Sequence, residues 1–164
     1  MPGMRDRTTH RPTRGWESGA RRLSAGRAPA GRAPAGFEVR PSPIDRRGLF
    51  ATVRFPARRK LGELAGERIS LREARRRARG RRRIAIVEFE DGTALDGTVA
   101  GNAFRYVNHS CEPNAYIRRI RGRVEIWTLR PIEPGEEITC DYGETQHDGT
   151  LPCRCGSERC RGYL

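Results

Sequence analysis

The chain has 164 residues, room for one modest core, and carries 33 Lys+Arg against 20 Asp+Glu for a formal net charge of +13, which attracts acidic partners such as nucleic acid without naming an activity. No run approaches the roughly 18 apolar residues of a membrane span, and the N-terminus has no apolar signal core, so a soluble, unsecreted, cytoplasmic protein with no membrane contact is expected. Thirty-two of the bases are Arg and only Lys60 is Lys, a bias of GC-rich coding sequence that points to a bacterial origin.

Residues 1–36 contain almost no large apolar side chains and repeat Ala25-Gly26-Arg27-Ala28-Pro29 as Ala30-Gly31-Arg32-Ala33-Pro34. Such a segment cannot bury enough surface to offset ordering entropy and is expected to be a disordered basic tail. Its 8 Arg against Asp6 and Glu17 carry about half the net charge. A solvated tail is the plainer reading; non-specific contact with nucleic acid is the other.

From Phe37 onward short strand-like runs dominate, at 49–55, 84–89, 115–120, 124–129 and 137–141, with turn signals at Glu90-Asp91-Gly92, Arg121-Gly122 and Glu133-Pro134-Gly135; the fold class expected is β-rich. One short helix is expected, started by the capping box Ser70-Leu71-Arg72-Glu73 and ending near Gly80, its arginines forming a solvated face. No G-x-G-x-x-G stands between a strand and a helix, so a Rossmann-type nucleotide site is not expected.

The stretch richest in chemistry is Arg105-Tyr106-Val107-Asn108-His109-Ser110-Cys111-Glu112-Pro113-Asn114, followed by Glu136-Glu137-Ile138-Thr139-Cys140-Asp141-Tyr142-Gly143. The first is a polar turn dense in donors and acceptors, whose Asn and His could equally serve local backbone groups. Near the C-terminus Cys153, Cys155 and Cys160 place three thiols in eight residues. A tetrahedral zinc needs a fourth ligand, for which Cys111 is the best remaining candidate. Four thiolates would close the coordination shell, so such an ion folds the tail and does not activate water. In an unsecreted protein this pattern suggests metal before disulfides, and Cys140 is left over.

Asn108-His109-Ser110-Cys111-Glu112-Pro113-Asn114, then Asp141-Tyr142-Gly143, then the Cys-x-Cys-x4-Cys-x-Gly tail together resemble the SET and post-SET signature of protein-lysine methyltransferases. The resemblance runs from about residue 37 to the end, with Arg47-Gly48-Leu49-Phe50-Ala51 similar to the family's first cofactor motif and Gly101-Asn102 preceding Arg105 as the family often has. It implies a SET domain over 37–147 and a post-SET zinc-binding tail over 148–164. It also implies small curved β-sheets in which the segment ending at Tyr142 threads beneath a neighbouring loop, knot-like.

By the same resemblance the chain is an S-adenosylmethionine-dependent protein-lysine N-methyltransferase acting on a protein that presents a lysine. Asn108 and His109 hold the cofactor, helped by Arg47, Gly48, Leu49 and the main chain near Arg105 and Tyr106; Tyr142 is the catalytic tyrosine. One structural zinc per chain sits on Cys111, Cys153, Cys155 and Cys160. Cys140 stands where the family commonly has a Phe or Tyr that lines the substrate channel, and in that place its small size suits the addition of two or three methyl groups; the other reading is a buried core cysteine with a neighbouring side chain filling the channel.

Three departures stand out: Arg46 replaces the first Gly of a common G-x-G, Leu64 replaces a frequent Tyr, and no cysteine-rich region precedes Phe37. The competing reading is a catalytically weak or inactive zinc module binding nucleic acid or a protein partner. The retained Asn108, His109 and Tyr142 speak against it.

Overall fold

The computed structural model describes residues 33–81, 84–143, 145 and 149–164. Residues 1–32, most of the expected tail, lie outside the described residues. The last four positions of that segment are described: Ala33 packs on the main core, and the Phe37 N–H donates to the Pro34 carbonyl at 3.2 Å, turning the chain into the first strand.

Among the described residues ten short strands form three small sheets beside one α-helix, the β-rich SET architecture expected. Strand β1 (Phe37–Pro41) pairs antiparallel with β2 (Arg47–Ala51). A second sheet joins β4 (Glu67–Ser70), β6 (Thr93–Asp96) and β5 (Ile86–Glu88), with β6 in the middle. The third has the order β3 (Lys60–Glu63), β9 (Arg123–Thr128), β8 (Ala115–Ile120), β10 (Thr139–Cys140), β7 (Asn108–His109).

The hairpin β8–β9 forms where the alternating pattern placed it, and its two-residue turn puts Arg121 at φ 46° and Gly122 at φ 69°. Two positive φ values match the right-handed twist of the flanking strands. The other expected runs shorten: 49–55 becomes β2, 84–89 becomes β5 and 137–141 becomes β10. Strands β1, β3, β4 and β6, each four or five residues long with polar or charged members, offer no apolar run. They are strands because a neighbour presents free ladder groups, a tertiary effect.

Helix α1 (Leu71–Ala78) starts as expected, with Ser70 Oγ accepting from the Glu73 N–H at 3.2 Å. Only this half of the capping box forms among the bonds seen at the cap, because the Glu73 carboxylate accepts from Arg76 and Arg77. The expectation that the helix arginines all face solvent needs one correction. Arg77 turns inward and ties Glu67, Glu73 and the fully buried Asp96 together at 2.7–2.9 Å. Ala74 packs the same face onto Ile69 and Ala94, and Ala78 is also buried.

The threading is visible in the strand order. Strands β7 and β8 are consecutive in sequence, yet β10 lies between them, parallel to both. The 110–114 loop therefore crosses over β10. Asn114 fastens it there: its Oδ1 accepts from the Thr139 N–H at 2.9 Å, and its Nδ2 donates to the Glu137 carbonyl at 2.8 Å. Beneath lie Leu49, Ala115, Ile126, Ile132, Ile138 and Cys140, the centre of the main core.

Candidate functional site

The strand Asn108–His109 is buried on both residues and sits at the edge of the five-stranded sheet, beside β10. Its side chains are spoken for by residues distant in sequence. Asn108 Nδ2 lies 2.7 Å from Glu137 Oε1, 3.1 Å from the Arg47 carbonyl and 3.2 Å from Ser42 Oγ. The Ser42 hydroxyl lies 2.8–2.9 Å from both oxygens of Glu137. Gly48 permits this closure: a Cβ there would stand 2.1 Å from Glu137 Oε1. The G-x-G-like motif is thus read as space for a carboxylate. Ser42 and Glu137 were not among the expected site residues; Glu137 is visible in sequence only as one of two adjacent acids.

Arg46, the first departure from that motif, holds φ 38°. This is left-handed backbone, where a side chain is strained and glycine is not, which is the physical reason that a glycine is common there. Gly101 before Asn102 has a similar steric cause, since a Cβ would stand 1.8 Å from the Gly97 carbonyl oxygen. Asn102 joins separate segments, donating to the Glu63 carbonyl at 2.8 Å and accepting from the Ala65 and Phe104 N–H groups, each at 3.2 Å. Leu64, at the second departure, packs partly buried against the main core.

His109 and Tyr142 meet edge to face, with ring centroids 5.4 Å apart. The Tyr142 N–H donates to His109 Nδ1 at 3.2 Å, so the neutral ring carries its proton on Nε2, which lies 3.3 Å from Cys111 Sγ. Burial pushes the imidazole below its ordinary range, against the pull of Asp141. Asp141 Oδ1 is 3.6 Å from Nδ1, too far for a hydrogen bond and facing a nitrogen that already accepts. That carboxylate instead accepts from Arg161 at 2.7 Å and from the Gly143 N–H at 2.9 Å. Burial raises its pKa, but Arg161 and Gly143 outweigh this and hold it below the usual carboxylate range. The Tyr142 hydroxyl donates to the Val107 carbonyl at 2.7 Å while the residue keeps 38 % of its surface exposed.

The four expected sulfurs converge: Sγ of Cys111, Cys153, Cys155 and Cys160 all lie within 4.8 Å of one another, and Cys111 and Cys153 are 3.9 Å apart. Zn–S bonds of about 2.3 Å give a tetrahedron with edges of about 3.8 Å, so the donor set fits zinc. Main-chain N–H groups already point at the sulfurs, from Arg161 to Cys111 at 3.3 Å and from Gly162 to Cys160 at 3.4 Å. At Cys155 burial is outweighed by hydrogen bonds from the Cys111 main chain and Ser157, which draw its pKa down, while burial pushes that of the neighbouring Cys153 up.

Arg105 and Tyr106 lie on a 3-10 turn (Ala103–Tyr106) leading into β7. The Arg105 guanidinium donates to the Tyr106 hydroxyl at 2.7 Å and lies 4.8 Å from the ring centroid, with Arg47 at 5.4 Å. Leu49 is fully buried and its carbonyl accepts from the Ile138 N–H at 2.8 Å, so its side chain belongs to the core. Cys140 is 0 % exposed, and burial pushes its thiol up to about 12.

A family model described as SET domain matches residues 46–143. The chain is 41% identical over 131 residues to "Histone-lysine N-methyltransferase trithorax" of Drosophila virilis, an alignment that covers 75% of this chain and 3% of that protein. It is 36% identical over 135 residues to "Histone-lysine N-methyltransferase, H3 lysine-4 specific" of Emericella nidulans, covering 75% and 11%. It is 35% identical over 132 residues to "Histone-lysine N-methyltransferase SETD1A" of Homo sapiens, covering 75% and 8%. The chain thus spans a small part of the length of these relatives. They are animal and fungal proteins, and the bacterial origin read from the Arg bias finds no support in them. No helix among the described residues is long and apolar enough to cross a membrane.

Proposed function

This chain belongs to the SET-domain family, and we propose that it is a protein-lysine N-methyltransferase that takes its methyl group from S-adenosylmethionine. The observation that carries the proposal is the fastening of Tyr142 to the Asn108–His109 strand, by its N–H to His109 Nδ1 at 3.2 Å and by its hydroxyl to the Val107 carbonyl at 2.7 Å. The residue keeps 38 % of its surface exposed beside this strand, open to a ligand.

S-adenosylmethionine supplies a methyl group already activated on a sulfonium, so the protein's task is alignment of a neutral amine more than acid–base work. Asn108, His109 and the main chain of Arg47 and Gly48 form the proposed cofactor cradle. Tyr106, with Arg47 and Arg105 near its ring, offers a stacking surface and guanidinium groups for a carboxylate, which matches the adenine and the amino-acid end of that molecule. The Tyr142 oxygen and the Val107 carbonyl stand together as acceptors at the point where positive charge passes to the lysine nitrogen. A free lysine has a pKa near about 10.4, so the channel must disfavour the ammonium; the buried Cys140 is its proposed inner end.

Zinc, held on Cys111, Cys153, Cys155 and Cys160, would have no open position and enter no chemical step. The relatives are named for histone lysines, and a lysine-bearing histone tail is the first proposed substrate.

The test incubates the full chain with labelled S-adenosylmethionine and histone octamers. Transfer to lysine is expected, with Tyr142→Phe lowering turnover roughly a hundredfold at unchanged cofactor affinity and His109→Ala lowering that affinity. Cofactor binding without transfer to histones or to any protein of a nuclear lysate would overturn the proposal in favour of an inactive zinc module. Equal rates for wild type and Tyr142→Phe would remove Tyr142 from its role.

A further inference from the structure

The outer face of α1 is a stripe of one charge. Ala74 and Ala78 are buried and Arg77 turns inward, so Arg72, Arg75, Arg76 and Arg79 share the opposite side, all exposed. Their spacing of i, i+3, i+4 and i+7 is that of one helix face. Arg76 has a partner in Glu73 at 2.7 Å. Among the described residues no carboxylate pairs with Arg72, Arg75 or Arg79, and Arg81 follows, also exposed.

This arrangement works against the helix that carries it. Like charges three and four residues apart cost about 0.2–0.5 kcal/mol per pair; two such pairs (72–75, 72–76) fall within the eight-residue helix, and Arg79 at its C-cap adds a further charge beside them. Neutralisation by a polyanion would relieve that repulsion.

We propose that this face docks on the phosphate backbone of duplex DNA, independently of base sequence and of whether the chain is a methyltransferase. Four residues spaced over seven steps span about 10 Å of helix axis, close to the three axial steps of about 3.4 Å that separate four successive phosphates of one strand. The stripe is entirely Arg, whose planar fork binds phosphate in two-point fashion. It carries no aromatic side chain, and so lacks the aromatic platforms on which single-strand binders stack successive bases. A rigid duplex rod fits a straight stripe better than a flexible acidic peptide.

Binding of the full zinc-loaded chain to labelled duplexes is measured as a function of salt. Arg72→Gln/Arg75→Gln/Arg79→Gln together should reduce the slope of log affinity against log salt by about two to three, and Arg75→Gln alone by about one, equally for unrelated duplex sequences. The corresponding triple Lys variant, keeping the charge, should retain the slope. Circular dichroism and zinc content report folding, and Arg75→Gln serves if the triple variant is unstable. Unchanged slopes in both Gln variants would assign binding to residues outside α1 and overturn the proposal. A larger loss toward poly-glutamate or single-stranded RNA than toward duplex DNA would also overturn it.

Discussion

Single residues in this protein are constrained by backbone geometry and by closure more than by side-chain chemistry alone. Arg46 holds left-handed backbone at φ 38° on the surface. That conformation costs about 1–2 kcal/mol for a side-chain-bearing residue, while a glycine loses about 0.4–1 kcal/mol through the freedom of its unfolded chain. Arg46→Gly is therefore expected to stabilise the fold by about 0.5–1 kcal/mol, read as a rise in the urea midpoint at unchanged slope. Cys140 is enclosed by the core. If it forms the inner end of the lysine channel, Cys140→Tyr should shift products toward monomethyl-lysine in mass spectra under excess cofactor. It should also lose about 1–3 kcal/mol of stability by overpacking. Multiply methylated product in unchanged proportion would place Cys140 in the core alone.

At the scale of elements, α1 shows how an arginine-rich sequence yields two different roles on one helix. Arg77 pairs with Glu67, Glu73 and buried Asp96, while the outer arginines remain exposed. At Asp96 burial raises the pKa, but Thr98 and Arg77 outweigh it and hold the carboxyl below its ordinary range; Glu73 lies at about 2 through Arg76 and Arg77. A depressed carboxyl contributes stability above its unfolded value, near about 3.9 for Asp. That stability is lost as pH falls through the folded value. The α1–β4–β6 unit should thus soften below about pH 4, and Asp96→Asn should flatten the acid limb of stability against pH. Arg77→Met, which leaves Asp96 with Thr98 but without its cation, should lower the denaturant midpoint.

For the whole molecule, the cysteine cluster joins the C-terminal segment to the loop that follows β7. The tail reaches the loop through Cys111, through the Arg161 N–H to Cys111 Sγ, and through Arg161 to Asp141, which stands next to Tyr142. Chelation is expected to release the tail, expose four thiols to a disulfide reagent and weaken cofactor binding by freeing Asp141. Cys140, with its thiol held up at about 12 by burial, should react only on global unfolding. Five thiols reacting at once on chelation would contradict this division.

Local chemistry made much of this legible in the sequence. The turn pair Arg121-Gly122, the Ser70 cap and the Cys-x-Cys-x4-Cys spacing act over a few residues, so the hairpin, the helix start and three of the four clustered sulfurs could be read directly. The resemblance of the Asn108–Asn114 and Asp141–Gly143 motifs supplied the threading, which no local rule contains. What only the tertiary structure decided is pairing across distance. Glu137 reaches Asn108 because Gly48 lacks a side chain, Arg77 turns inward because Asp96 lies in the neighbouring strand, and strands as short as Lys60–Glu63 form because β9 presents its edge. Those outcomes depend on which segments meet, and hydrogen-bonding groups buried at such meetings must find partners that are invisible along the chain.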